Sequence, residues 1–74
     1  MADQIGYEWQ RVAGDIARRI DSGELPPGSM LRSERSLAEE YGVSVDTVRR
    51  ATKHLREEGR VVTLPAKGTF VAEG

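Results

Sequence analysis

The run from Ser33 to Gly59, SERSLAEEYGVSVDTVRRATKHLREEG, constrains the fold more than any other part of the chain. Leu37, Ala38 and Tyr41 recur at helical spacing, and so do Val48, Ala51, Thr52 and Leu55, so each stretch makes one apolar stripe. Gly42 stands between them and is placed to take the left-handed conformation that ends a helix without steric cost. Ser33 and Ser44 open the two stretches, each with a hydroxyl able to accept from an unpaired first-turn amide. Asp46 falls in the first turn of the second stretch, where the helix dipole favours an anion. Two helices joined this tightly read as a helix-turn-helix, in which the first braces and the second offers its N-terminal residues to base edges in a DNA major groove.

The flanking segments complete the architecture. Trp9, Val12, Ala13, Ile16, Ala17 and Ile20 make residues 8–22 one amphipathic helix, with Arg11, Asp15, Arg18 and Arg19 on its wet side. Gly23 stops it, and Pro26-Pro27-Gly28 cannot continue it because proline lacks a donor. Met30 and Leu31 form at most a very short strand. After Gly59, Val61 to Leu64 reads as a strand, Pro65 to Gly68 as a turn and Thr69 to Ala72 as the returning strand. The expected fold is mainly α with a small β-hairpin: a winged helix-turn-helix of helices at about 8–22, 33–41 and 44–58 and a wing at about 61–72, occupying 1–74 as one domain. Trp9, Tyr41 and Phe70 fall on apolar stripes and are expected to serve mainly as core.

Composition narrows the function. With 74 residues and no cysteine, the chain has room for one core and offers neither disulfides nor thiolate metal sites. His54 is the only histidine, expected at the surface, with no second ligand type for a metal and no serine nucleophile beside it. No catalysis, cofactor or metal is expected. No apolar run reaches the ~20 residues of a membrane span and no signal peptide precedes the first helix, so a cytoplasmic location is expected. The net charge of -1 is unusual for a nucleic-acid binder, but the charge is polarised: residues 1–29 carry three cations against five anions, and residues 30–68 carry eight against six. Arg49, Arg50, Lys53, Arg56 and Arg60 stand close together. Arg49 and Lys53 share one side of the third helix, and Asp46 and Arg50 are expected to pair on an adjoining stripe.

Four segments in order, SGELPPG at 22–28, SERSLAEEYGVS at 33–44, TVRRA at 47–51 and KGTFV at 67–71, resemble the N-terminal DNA-binding domain of the GntR family of bacterial transcription regulators. The resemblance implies double-stranded DNA as partner, two copies on an inverted repeat and, most often, repression. It further implies DNA contact by Arg35 at the foot of the second helix, by Ser44 and Thr47 at the start of the third, by Arg49 along it, and by the backbone of Gly68 at the wing tip. Arg32 replaces a proline usual before SER and adds a cation. Val45 stands where arginine is frequent, Thr52 where leucine is, and Leu64 and Ala66 where the wing often carries arginine and glycine.

The candidate DNA-binding set is therefore Arg32, Ser33, Arg35, Ser44, Val45, Asp46, Thr47, Arg49, Arg50, Lys53, Lys67 and Gly68, with Arg56 or Arg60 on a nearby phosphate. Val45 suits a thymine methyl and Asp46 a cytosine amino group; as a helix-dipole partner Asp46 has a second, simpler role. A homodimer on DNA is one expected partner, forming only there if nothing follows Gly74, and a small-molecule effector is expected only if a C-terminal domain exists beyond this chain. The alternative reading is a winged-helix module whose basic face docks an acidic protein, with little DNA binding.

Overall fold

A computed structural model describes residues 2–73, as three helices followed by one antiparallel hairpin: α1 (Ala2–Asp21), α2 (Glu34–Tyr41), α3 (Val45–Glu57), β1 (Val61–Leu64) and β2 (Gly68–Val71). Helix α1 starts six residues before the expected boundary at residue 8. The caps are those the residue types foretell. Ser33 Oγ accepts from the Ser36 amide at 3.1 Å and Ser44 Oγ from the Thr47 amide at 3.1 Å. Gly42 takes the left-handed conformation (φ 68°, ψ 36°) that turns the chain out of α2.

The core lies where the three helices meet the base of the hairpin. Val12 and Ile16 from α1, Val48 and Leu55 from α3, and Val61 and Val71 from the strands are fully buried. Each withdraws an aliphatic side chain from water, worth roughly 1.5–3 kcal/mol. Because α3 packs on α1, on α2 and on β1, its apolar stripe fixes the direction in which its polar face looks out.

The hairpin pairs Val61 with Val71, Val62 with Phe70, Thr63 with Thr69 and Leu64 with Gly68. The expected strand at Met30 and Leu31 is reduced to a single bridge between Met30 and Phe70. Around it the Leu31 amide donates to the Thr69 carbonyl and the Val71 amide to the Ser29 carbonyl, both at 2.8 Å. The loop after α1 thus covers one edge of β2.

At the wing tip the Lys67 amide donates to the Leu64 carbonyl at 3.0 Å, enclosing Pro65 and Ala66 as the central residues of a tight turn. Proline then glycine is the pair a type II turn prefers, since its second central residue has positive φ. Here that residue is Ala66, at φ 65°. Ala66→Gly is expected to stabilise the domain by about 0.5–1 kcal/mol, the relief of left-handed strain less the entropy glycine adds to the unfolded chain. Urea unfolding should show a higher midpoint with an unchanged slope; an unchanged or lower midpoint would remove strain from the account.

The side of α1 expected to face water is tied to α2. Tyr41 is half-buried; its hydroxyl donates to Asp15 Oδ2 at 2.6 Å and accepts from Arg19 Nη1 at 3.1 Å. Arg19, largely buried rather than wet, also holds Glu24 and Glu40. The Tyr41 hydroxyl, followed by the Arg18 guanidinium, holds the Asp15 carboxyl below its ordinary value against the opposing effect of burial. A depressed folded-state pKa gives stability that is present above the unfolded value and lost as pH falls through the folded one. Tyr41→Phe is therefore expected to raise the Asp15 pKa, read by carboxyl ¹³C shifts. The stability gap to wild type should be widest near neutrality and narrow below about pH 4. A gap that does not change with pH would assign the loss to packing alone.

Candidate nucleic-acid interface

Helix α3 advances 100° per residue, and its buried stripe of Val48, Ala51, Thr52 and Leu55 divides the polar side chains into two flanks. Arg49, Lys53 and Arg56 lie on the flank towards α2 and the wing. There Arg49 Nε donates to Glu34 Oε1 at 3.0 Å, and Arg56 Nη1 donates to Thr63 Oγ1 at 3.1 Å. Thr63 in turn bonds Thr69 across the hairpin at 3.0 Å. The opposite flank carries Arg50 and His54 and faces α1. The Arg50 guanidinium lies 6.0 Å from the Trp9 ring centroid, and the His54 ring packs on Trp9 at 5.1 Å while its Nε2 lies 3.3 Å from Glu58. His54 is thus wedged against α1 and not simply at the surface, and Trp9 is half-buried.

The expected Asp46–Arg50 pair does not form. Asp46 instead lies 3.7 Å from Arg49 Nη1, because Arg50 turns away towards Trp9. Arg60 is also redirected: its Nη1 donates to Asp21 at 2.7 Å and its Nε lies 3.8 Å from Glu58. That contact anchors the end of α1 to the start of β1 and leaves Arg56, not Arg60, beside the wing. Val45 packs half-buried against the core, so its side chain is only partly available to a thymine methyl. Thr52 is buried and its hydroxyl is satisfied by donating to the Val48 carbonyl at 2.9 Å.

The remaining candidates converge. Ser44 and Thr47 share a hydroxyl contact of 3.0 Å at the start of α3, and one turn on the Arg49–Glu34 bond ties α3 to the start of α2. Arg32, Ser33 and Glu34 from the α2 entrance and Lys67 and Gly68 from the wing line one groove, together with Leu37 and Thr52. Gly68 is held close there: a Cβ at this position would lie 3.2 Å from Met30 Sδ. Arg32 reaches Glu40 at 3.4 Å. Arg35, Lys53 and Lys67 are exposed and make no ion pair among the described residues. The α2 entrance and the wing thus share one groove, the Arg49–Glu34 bond joins α3 to that entrance, and Arg32, Arg35 and Lys67 are exposed cations of these segments.

Glu34 is the residue of this site that the sequence did not single out. It follows a capping serine and reads as a dipole-favoured first-turn acid, and nothing local signals that Arg49, fifteen positions later, returns to it. Among the described residues no group of histidine and carboxylate side chains is arranged to hold a metal, and no helix is long and apolar enough to cross a membrane.

Comparison with known proteins matches residues 9–71 to the family model described as bacterial regulatory proteins, gntR family. The HTH-type transcriptional repressor NagR of Bacillus subtilis (strain 168) is 38% identical over 88% of this chain and 27% of its own length. The histidine utilization repressor of Pseudomonas putida is 40% identical over 88% of this chain and 26% of its own. The chain thus spans about a quarter of the length of these relatives. Among solved structures, the AraR DBD in complex with operator ORR3 superposes with a TM-score of 0.84 at 31% identity, covering 88% of this chain and 78% of that one. A GntR family transcriptional regulator from Listeria monocytogenes gives a TM-score of 0.86 at 27% identity, covering 89% of this chain and 58% of that one.

Proposed function

This chain belongs to the gntR family of bacterial regulatory proteins, and from that premise we propose that it binds double-stranded DNA sequence-specifically as part of a transcription regulator. The first turns of α3 enter the major groove and the wing tip lies along the backbone towards the minor groove. Arg49 reads a base edge; Arg32, Arg35, Arg56 and Lys67 hold phosphates and set the register. The observations that carry the reading are the groove shared by the α2 entrance and Lys67–Gly68 of the wing and the bond that ties Arg49 of α3 to that entrance. The chain's likeness to a DBD bound to an operator supports the same orientation.

Two copies occupy an inverted repeat, and the outcome is repression, as the names of relatives suggest. Such a regulator works in the bacterial cytoplasm, at the nucleoid when bound. An effector, if one acts, binds outside this domain.

A salt titration tests the proposal, using a duplex recovered by selection from a random pool. If Arg32, Arg35, Arg56 and Lys67 each neutralise one phosphate, log affinity against log salt should fall with a slope of roughly −4 per copy. A recovered palindrome should bind two copies. Failure to bind any duplex at low salt would overturn the proposal in favour of docking to an acidic protein.

A further inference from the structure

We infer that Glu34 is a positioning residue for sequence discrimination: it fixes the Arg49 guanidinium so that its outer edge meets a guanine, and with Asp46 it opposes phosphate contact by that arginine. The inference rests on the DNA-binding reading and concerns how the same site distinguishes one sequence from another.

The geometry assigns each nitrogen of Arg49 a different part. Nε donates to Glu34 Oε1 at 3.0 Å and Nη1 lies 3.7 Å from Asp46 Oδ1. A guanidinium is a rigid planar fork, so holding Nε from the α2 side sets the plane of the whole group. The bond uses Nε alone, so Nη2, and Nη1 beyond its 3.7 Å approach to Asp46, still have N–H groups for a bidentate contact with guanine O6 and N7. The Glu34 bond and a guanine contact are therefore compatible. A phosphate contact is not favoured in the same way, because the phosphate would approach two carboxylates.

Both carboxylates stand at helix starts. Glu34 is the first residue of α2 and Asp46 lies in the first turn of α3, positions where the helix dipole stabilises an anion. The Glu34–Arg49 bond also links the bracing helix to the reading helix, so the orientation of Arg49 does not depend on α3 alone. On a matched site the arginine keeps its Glu34 bond and adds two more; on a mismatched site it keeps the first and gains little. Exposed carboxylates beside the groove lower affinity for any duplex, and this arrangement lowers it more for the wrong one.

The test compares affinities for the selected duplex and a scrambled duplex in wild type, Glu34→Ala, Glu34→Gln and Glu39→Ala. Glu39 is an exposed carboxylate of α2 outside the cluster and reports the general effect of removing an anion. Glu34→Ala should lower the selected-to-scrambled ratio roughly five- to tenfold. Glu34→Gln, which keeps an acceptor for Nε–H, should recover part of that ratio. Glu39→Ala should leave the ratio unchanged while strengthening both complexes. In wild type the Arg49 Nε–H resonance should persist on adding the selected duplex and be lost in Glu34→Ala. Wild-type binding with a ratio unaltered by Glu34→Ala, or lowered equally by Glu39→Ala, would overturn the inference and leave the DNA-binding reading standing. A wild type that binds no duplex would overturn both.

Discussion

Replacing Arg49 with alanine is expected to weaken binding to the selected duplex by about 1–3 kcal/mol, roughly 5- to 150-fold, with a much smaller loss on a scrambled duplex. The difference between the two losses is the informative quantity, because a phosphate contact would be lost from both alike. Stability should barely change. Arg49 is exposed, and its pairs with Glu34 and Asp46 are exposed too, so each contributes at most about 1 kcal/mol. Alanine is also the better helix former at such a site. A thermal melt unchanged from wild type, beside a titration that has lost its preference, would place the effect in recognition. Equal losses on both duplexes would move Arg49 to the backbone-contacting set and leave base reading to Ser44, Asp46 and Thr47.

The parts of the fold legible in the sequence are those fixed by local chemistry. Ser33 and Ser44 cap, Gly42 turns left-handed, and the stripes of α2 and α3 face the core, because hydroxyl acceptors, glycine backbones and 3.6-residue spacing act within a few residues. What stayed hidden was decided by chain segments far apart. Arg60 looked like one more cation of a basic cluster, yet Asp21, 39 positions earlier, claims it. Tyr41 read as apolar stripe, and nothing nearby shows that its hydroxyl would be shared by Asp15 and Arg19 of another helix. The error over Asp46 has the same origin. An acid can pair with a base three or four positions on, and the choice fell to Arg49 over Arg50 because Trp9, on another helix, draws Arg50 away. For the candidate site the residue types were therefore readable, whereas their pairings needed the packing of α3 against α1 and α2.

That packing makes Leu55 the residue whose loss should matter most. Its side chain is fully inaccessible, on the inner face of the helix that also carries Arg49 and Lys53. Leu55→Ala removes the buried methyl groups and leaves a cavity, together costing about 3–5 kcal/mol. A 74-residue domain with one core and no disulfide has a total stability of only about 3–5 kcal/mol. The variant should therefore be largely unfolded at 25 °C, seen as loss of helical circular dichroism. Leu55→Met, similar in volume, should cost less than about 1.5 kcal/mol and stay folded. If α3 is both keystone and reading element, binding and folding are linked, and a ligand that binds only the folded chain stabilises it by about 2.7 kcal/mol at a hundredfold excess over its Kd. Adding the selected duplex to Leu55→Ala should accordingly restore much of the helical signal, and a scrambled duplex should restore little. A Leu55→Ala domain that melts like wild type would remove the keystone role. Equal rescue by both duplexes would mean that folding is coupled to charge neutralisation and not to recognition.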